Sequence, residues 1–305
     1  MLWLYITIGA YFLFAFSSLT DRYLLAGPLP HPRVFAFYTG VTGILASFLI
    51  PFGFSVPEPF VIMLALVAGV VSVLGLYSAY RAVYHSGVSR IVPMVGGLFP
   101  IFTLFLSILI LGREAVVSPG ILVALAFFIL GTILLSLRGS LREFAPSLFD
   151  IRNSLLVAFL FAAGFVLAKL VYGHESFLNG FIWMRWGGFL TAVSLLAFPA
   201  TREVVFRATK NPASQKRVYI PFLLGKGAGS AAFLMQQYAI FLVQSVQLAV
   251  ISALQGMQYF FLLLFVGILA VKKPRLLKEE FSGLNVLWRV LGASCIAAGF
   301  LLFTL

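Results

Sequence analysis

Two basic side chains lie inside apolar segments, where a charge needs a chemical reason. Arg185 lies in FIWMRWGG, about two turns into one apolar segment, and Lys169 lies in the last turn of the segment before it. A charged side chain at the centre of a bilayer costs about 2.5–3.5 kcal/mol even on the most generous scale. Both residues fall toward the same face of the membrane, so the pattern predicts a pocket for an acidic group. Trp183 and Trp186 are predicted to form its walls.

A structural explanation is the alternative for each basic residue. A long side chain near the end of a membrane helix extends to the lipid headgroups and needs no ligand. Arg185 is the better candidate for a pocket because it lies deeper, and a guanidinium matches a carboxylate through two parallel hydrogen bonds. Near the opposite membrane face, Arg81 and Tyr84 lie at the end of another segment and complete the basic and aromatic binding candidates.

A further polar group consists of amides and one tyrosine in the last third of the chain. Gln255 and Gln258 are three residues apart, so they share one helical face, with Tyr259 beside them. Gln236 lies one segment earlier. A buried amide in lipid needs a partner, which is either another helix or a ligand. These four residues are predicted to bind the polar remainder of a substrate, and hydrogen bonding between helices is the alternative.

Prolines and glycines mark the segment that follows Ser86. Pro93 and Pro100 flank Gly96 and Gly97 there, and Gly256 lies in a related later segment. Each proline frees a carbonyl that needs another partner, and broken helices in membrane transporters border a cavity. These residues are therefore predicted to break or gate helices.

The acidic residues are informative through their absence from apolar segments. All nine lie at the ends of those segments or in the links between them. No carboxylate is therefore placed to bind a lipophilic cation in mid-membrane. The fixed charges are positive, so an anionic or zwitterionic substrate, amino-acid-like in character, is the better electrostatic match.

Composition indicates a membrane protein. Of the 305 residues, 62% are hydrophobic and 10% are charged, and the mean hydropathy is +1.07. A soluble protein of this length needs far more charge to cover its surface. The net charge of +12 comes mostly from basic residues in the short links between apolar segments, where basic residues serve as topology signals. Nucleic acid is therefore not an expected partner. The first segment has no basic start and no cleavage site, which predicts a retained helix.

On the measure of about 20 apolar residues per span, the sequence predicts an all-α polytopic membrane protein with ten transmembrane helices. The link 138–152 divides them into two sets of five, residues 1–137 and residues 153–305. Because five is odd, the second set must be inverted relative to the first. The predicted spans are residues 2–20, 34–52, 59–84, 89–111, 117–137, 153–173, 179–199, 219–243, 247–271 and 286–305.

The two sets of five resemble one another. FAFSSLTDRYL in the first aligns without a gap with FAAGFVLAKLV in the second, which pairs Ser17 with Gly164. Further pairs near the ends of the two sets are Ala124 with Gly292 and Gly131 with Gly299. Agreement at several offsets supports an internal inverted repeat.

Short motifs recur at equivalent places in the two repeats. A Tyr-Arg-Ala turn at 80–82 is followed by Ser89, Pro100 and Leu-Gly-Arg-Glu at 111–114, and the second repeat has Ala-Leu-Gln-Gly at 253–256 and a looser Leu-Leu-Lys-Glu-Glu. This pattern resembles the repeated domain of EamA-type proteins, which belong to the drug/metabolite transporter (DMT) superfamily. The resemblance covers nearly the whole chain. It implies a ten-helix inverted-repeat transporter that holds its substrate centrally, among helices of both halves.

The sequence therefore predicts a transporter of a small organic metabolite, working by alternating access in the cell membrane. Its expected partners are that substrate and the lipid bilayer, a homodimer is left open, and no cofactor or metal is expected. One alternative is an exporter of amines or other drug-like compounds. Another is an intramembrane enzyme or lipid-modifying protein, although neither H-E-x-x-H nor G-x-S-x-G occurs in the sequence.

The basic residues also predict a membrane orientation. Most of them lie in or beside the links that follow odd-numbered spans, and the positive-inside rule places those links in the cytoplasm and both termini outside. Members of the family that the sequence resembles are usually drawn with both termini inside. The two readings conflict, and the charge bias is the one we prefer.

We expect links 138–152 and 200–218 to be cytoplasmic. A cysteine introduced into either link, on a Cys295→Ala background, should resist a membrane-impermeant maleimide in intact cells and react after permeabilisation. A cysteine in the link 112–116 is the control, because it should react from outside. Ready labelling of the first two in intact cells would mean that both termini lie inside.

Overall fold

The structure, a computed structural model, describes residues 1–24, 32–112, 119–137, 146–210, 216–272 and 283–304. Residues 138–145 of the predicted link between the repeats, and most of the Leu-Gly-Arg-Glu and Leu-Leu-Lys-Glu-Glu motifs, lie outside the described residues. Within the described ranges all regular structure is helical. The α-helices are α1 (Leu2–Leu24), α2 (Pro32–Val41), α3 (Pro59–Ser86), α4 (Val88–Leu111), α5 (Pro119–Ser136), α6 (Leu148–His174), α7 (Phe177–Leu195), α8 (Pro199–Lys210), α9 (Lys216–Leu242), α10 (Leu248–Ala253), α11 (Gly256–Lys272) and α12 (Gly283–Thr304).

Seven segments of the described chain are long and apolar enough to cross a membrane, as in an all-α, multi-pass integral membrane protein. This confirms the fold class that composition predicts. The helices α7 and α9 are not among the seven, and both carry polar groups within their length, such as Asn179 and Arg185 in α7. In α12 the apolar part is the shorter stretch Leu287–Phe303. The seven segments are Leu2–Thr20, Pro32–Phe52, Pro59–Ser86, Arg90–Leu111, Pro119–Ser136, Leu148–His174 and Leu248–Phe265.

The predicted second span changes its helical form part-way. After α2, residues Thr42–Phe52 form a 3₁₀-helix of 11 residues, although runs longer than 3–4 residues are uncommon. This stretch packs along α7. The backbone carbonyl of Arg185 lies so close to Gly43 that a Cβ there would clash with it, and Trp186 Nε1 donates a hydrogen bond to Ser47 Oγ at 2.9 Å. The 3₁₀-helix is therefore held in place by its contacts with α7.

The predicted ninth span is broken between α10 and α11, at residues 254–255. The break frees two carbonyls, because the N–H of Gln255 bonds to Ser252 and the N–H of Met257 bonds to Leu254. Side chains from other helices replace the lost donors. The hydroxyl of Tyr11 donates to Ile251 O at 2.7 Å, and that of Thr132 donates to Ala253 O at 3.2 Å. Both freed carbonyls are thus bonded within the protein, as lipid requires.

The break predicted in the fourth span is not found, because α4 is one continuous helix that contains both Pro93 and Pro100. Its neighbours α5, α6 and α10 pack along it, and such packing tolerates proline in a membrane helix. The two glycines between the prolines serve close packing instead. A Cβ on Gly96 would meet Thr132 of α5 at 2.8 Å, and one on Gly97 would meet Ile133 at 2.9 Å.

Close helix contacts through small residues organise the whole fold. The most extensive pairs are α1 with α9, α5 with α12, α3 with α6, α4 with α6, and α3 with α7. A small-residue face of α9, formed by Gly225 and Gly229, packs against Thr20 and Ser17 of α1. Between α3 and α7, a Cβ on Gly187 would overlap the backbone of Leu66. This last contact fixes the position of α7 along the axis of α3.

We expect Gly187→Ala to lower the stability of the protein. The added methyl group has no space between α7 and α3, and overpacking of this kind costs about 1–3 kcal/mol. Thermal unfolding in detergent measures the effect. Gly227→Ala is the matched control, since a Cβ there meets nothing within 4 Å and alanine is the better helix former. An equal melting temperature for the two variants would contradict the packing account.

Candidate functional site

The first turn of α7 is held by a polar cluster that fixes the helix end before Arg185. Ser176 Oγ accepts a hydrogen bond from the N–H of Asn179 at 3.4 Å and so caps α7. The buried Asn179 amide donates to Ser55 Oγ at 2.9 Å and to Glu175 Oε2 at 2.7 Å. Its oxygen accepts from Ser55 N at 3.2 Å. Both polar atoms of the Asn179 side chain are thereby used, and two of the bonds join α7 to Ser55, just after the second span.

A cavity lies where α3, α6, α7 and α9 meet. Its volume is about 30 Å³, which is room for about two water molecules. Glycines and apolar side chains form most of its surface, and its polar side chains come from three different helices. The lining residues are Gly69, Ser72, Val73, Ala168, Phe181, Met184, Arg185, Gly188, Phe233 and Gln237.

The charge of Arg185 has no acidic counterpart in the cavity. Its guanidinium is partly buried, donates one long hydrogen bond of 3.4 Å from Nη2 to Thr39 O, and lies 5.2 Å above the ring centroid of Phe233. In the part of the chain that the structure describes, no carboxylate lies within ion-pairing distance of it. Four of its five N–H donors therefore remain for a ligand, or for water.

Gln237 is a lining residue that the sequence analysis did not select. Its side chain is 7% exposed, and its Oε1 accepts a hydrogen bond of 3.1 Å from the Tyr172 hydroxyl. The adjacent Gln236, which was selected, faces another way and donates to the Tyr11 hydroxyl at 3.4 Å. Successive helical residues point about 100° apart, so only one of two adjacent glutamines can face the cavity. The sequence contains no signal for which one it is.

Lys169 has a structural role rather than a place in the cavity. It follows Ala168, which lines the cavity, but its Nζ donates to Phe241 O at 2.9 Å. Phe241 lies in the last turn of α9, where helix carbonyls lack intrahelical donors and a positive charge is favourable. Lys169 therefore caps α9, and the expectation that it shares a pocket with Arg185 is not met by this arrangement.

Trp183 and Trp186 are directed toward the 3₁₀-helix and the loop after it, not toward the cavity. Trp183 Nε1 donates to Ser55 O at 3.2 Å, and Trp186 bonds to Ser47. Both rings contact Phe54, with centroid distances of 5.7 Å and 5.5 Å. They fasten α7 to the second span, so they support the position of Arg185 from outside the cavity.

The remaining predicted residues lie elsewhere. Gln258 Nε2 donates to Ser18 Oγ of α1 at 3.0 Å, and Gln255 Oε1 is buried beside the helix break with no hydrogen-bond partner among the described residues. Tyr259 packs against the apolar core. These residues and Gln236 surround the break between α10 and α11, away from the lining of the cavity. The other two, Arg81 and Tyr84, are exposed in the last turns of α3.

Comparison with known proteins establishes the fold and no more. No family model and no curated protein matches the sequence. A solved crystal structure of another protein is similar to this one over 98% of this chain and 97% of that chain, with a TM-score of 0.65 and 16% sequence identity. The two proteins therefore share a fold across nearly their full lengths.

We expect Tyr11→Phe to destabilise the protein through the helix break. The substitution leaves Ile251 O without a donor in an apolar core, and such hydrogen bonds contribute about 1–2 kcal/mol. A lower melting temperature in detergent would show the loss. Tyr5→Phe removes the same hydroxyl from a side chain that is 70% exposed, so it should leave the melting temperature unchanged. Equal effects of the two substitutions would mean that Tyr11 does not support the break.

Proposed function

We propose that the protein is a transporter of the drug/metabolite transporter type, which moves a small organic metabolite with an acidic group across the membrane by alternating access. The observation that carries the proposal is the Arg185 guanidinium, which lines a cavity at the meeting of four helices without any acidic partner among the described residues. An ionisable residue inside a membrane protein is expensive and marks a substrate pathway by default.

Alternating access calls for two similar halves, and the contact between α5 and α12 supports an inverted repeat. The alignment pairs Ala124 with Gly292 and Gly131 with Gly299. A two-fold axis that exchanges the halves would convert a Gly131–Gly292 contact into a Gly299–Ala124 contact. Both occur, because a Cβ on Gly131 would lie 2.9 Å from Gly292 O and one on Gly299 would lie 3.2 Å from Ala124 O. A self-complementary contact of this kind is typical of two-fold symmetry.

A second contact supports the same repeat independently. The alignment pairs Ser17 of α1 with Gly164 of α6, so the pair α1 and α9 corresponds to the pair α6 and α3. In the first pair, a Cβ on Gly229 would lie 2.9 Å from Ser17 Oγ, and in the second, a Cβ on Gly164 would lie 3.3 Å from Ser72 Oγ. A glycine meets a serine at both places. The ten predicted spans then form two inverted sets of five.

A difference between the halves supports a transport cycle with more than one state. In the described chain, α3 packs closely on α7, whereas the corresponding helices α9 and α2 pack much less. Arg185 lies at this less packed side, where it touches α2 through Thr39 and α9 through Phe233. Inverted repeats in unlike conformations are the basis of alternating access, and the substrate anchor would lie where the two conformations differ.

We expect Arg185→Gln to abolish saturable uptake of an acidic solute by proteoliposomes, because the cavity then carries no charge. Arg185→Lys should also reduce uptake strongly, since an ammonium lacks the two-pronged match to a carboxylate. The solute is chosen by a thermal-shift screen of organic acids, amino acids, amines and nucleosides. Arg152→Gln, at an exposed position in α6, is the control and should leave uptake unchanged.

The competing explanation is that Arg185 only fastens α7 to the Thr39 carbonyl. Under that explanation both Arg185 substitutions lower the melting temperature as well as the uptake. No solute then raises the melting temperature of the wild type more than that of the variants. The proposal would also be contradicted if amines alone raised the melting temperature, and did so equally in the wild type and in Arg185→Gln.

A further inference from the structure

The polar side chains of the cavity present hydrogen-bond donors and almost no acceptors. Arg185 is a donor only. Ser72 uses its hydroxyl proton on Ala68 O at 2.8 Å, so it offers the cavity only an oxygen lone pair. Among the described residues, the other lining side chains are apolar apart from Gln237. The orientation of this one amide therefore decides whether the cavity contains a strong acceptor.

Tyr172, which is not a lining residue, holds the Gln237 amide by its oxygen. Tyr172 is 6% exposed, and its hydroxyl donates to Gln237 Oε1 at 3.1 Å. This hydrogen bond fixes the direction of the amide oxygen, while Gln237 Nε2 has no partner in the described chain. Its two N–H donors are available beside those of Arg185. Ring contacts of Tyr172 with Phe177 and Phe241, at centroid distances of 5.7 Å, keep the tyrosine in place.

A set of side chains that is rich in donors and poor in acceptors suits a carboxylate better than an ammonium. Each carboxylate oxygen accepts two or more hydrogen bonds, which Arg185 and Gln237 can supply together. The ammonium of an amino acid is attached one carbon away from its carboxylate, so it would be held beside the guanidinium. It would meet like-charge repulsion there, with only the Ser72 lone pair as an acceptor. The Phe233 ring, which otherwise attracts a cation, already faces Arg185.

We propose that the cavity binds the carboxylate of organic acids that lack an α-ammonium group and rejects amino acids, with Gln237 as the second carboxylate anchor and Tyr172 as the residue that positions it. This inference rests on the proposed function and narrows its substrate class. Unpaired polar groups give stronger discrimination than differences in size, because a solute that cannot bond to them leaves them unsatisfied.

The test compares acids with their amino counterparts of equal carbon number, using pyruvate with alanine and 2-oxobutanoate with 2-aminobutanoate. Dissociation constants are measured by calorimetry on the full-length protein in detergent. The wild type should bind each oxo acid about tenfold or more tightly than its amino acid. This comparison needs no variant, so a failure of any variant to fold leaves the inference testable.

Two variants then test the roles of the individual residues. Gln237→Glu places a carboxylate beside Arg185, which should repel the oxo acids and reverse the preference toward the amino acids. Tyr172→Phe releases the amide, so its oxygen can turn into the cavity, and the preference should fall severalfold while Arg185 is unchanged. Gln236→Glu is the matched control on the adjacent residue. It faces Tyr11 and not the cavity, so it should leave the ratio of dissociation constants unchanged whatever it does to stability.

The outcomes that would overturn the inference differ from those that would overturn the proposed function. Equal binding of pyruvate and alanine, with both lost in Arg185→Gln, would overturn the inference alone and leave the proposed transporter of acidic solutes standing. An unchanged ratio in both Gln237→Glu and Tyr172→Phe would also overturn the inference alone. Binding of neither acids nor amino acids by the wild type would overturn both.

Discussion

Lipid offers the backbone no hydrogen-bond partner, so each group that an irregular turn releases must be met by another part of the protein. At the break between α10 and α11, Tyr11 and Thr132 supply the donors that Ile251 and Ala253 have lost. At the end of α9, Lys169 supplies the donor for a terminal carbonyl. The irregular backbone therefore decides which polar side chains are occupied, and by elimination which ones are available to a ligand.

Close packing through glycine connects this constraint to the cavity. Because Gly187 and Gly69 lack side chains, α7 approaches the backbone of α3 directly, and Arg185 is held at the edge of that contact. The tryptophans of α7 and the Asn179 cluster fix its other face against the second span. Attachment on two sides fixes the α7 backbone that carries Arg185, and a preformed site of this kind binds at a lower entropic cost than one that must be ordered on binding.

Sequence predicted the parts of this architecture that depend on apolar length and small-residue spacing. The helical class follows from apolar length, and the four-residue spacing of Gly225 and Gly229 is typical of a helix contact face. Of the predicted break positions, Gly256 lies directly after the interruption at residues 254–255, whereas Pro93 and Pro100 lie within a continuous α4 because its neighbours tolerate proline there. The sequence could not assign partners to polar side chains. Those partners come from helices far away in sequence, such as α1 for Gln236.

The contrast between two pairs of chemically similar residues shows what distinguishes a binding group from a structural one. Lys169 and Arg185 are both cations within apolar helices, yet Lys169 donates a short bond to a carbonyl that needs it, whereas Arg185 makes only one long bond to Thr39 O. That carbonyl already accepts from the Thr42 hydroxyl at 2.8 Å. Gln236 and Gln237 differ in the same way, since only the second lines the cavity. Charge and polarity alone do not separate the two residues of either pair, but unused hydrogen-bonding capacity at a cavity selects one from each.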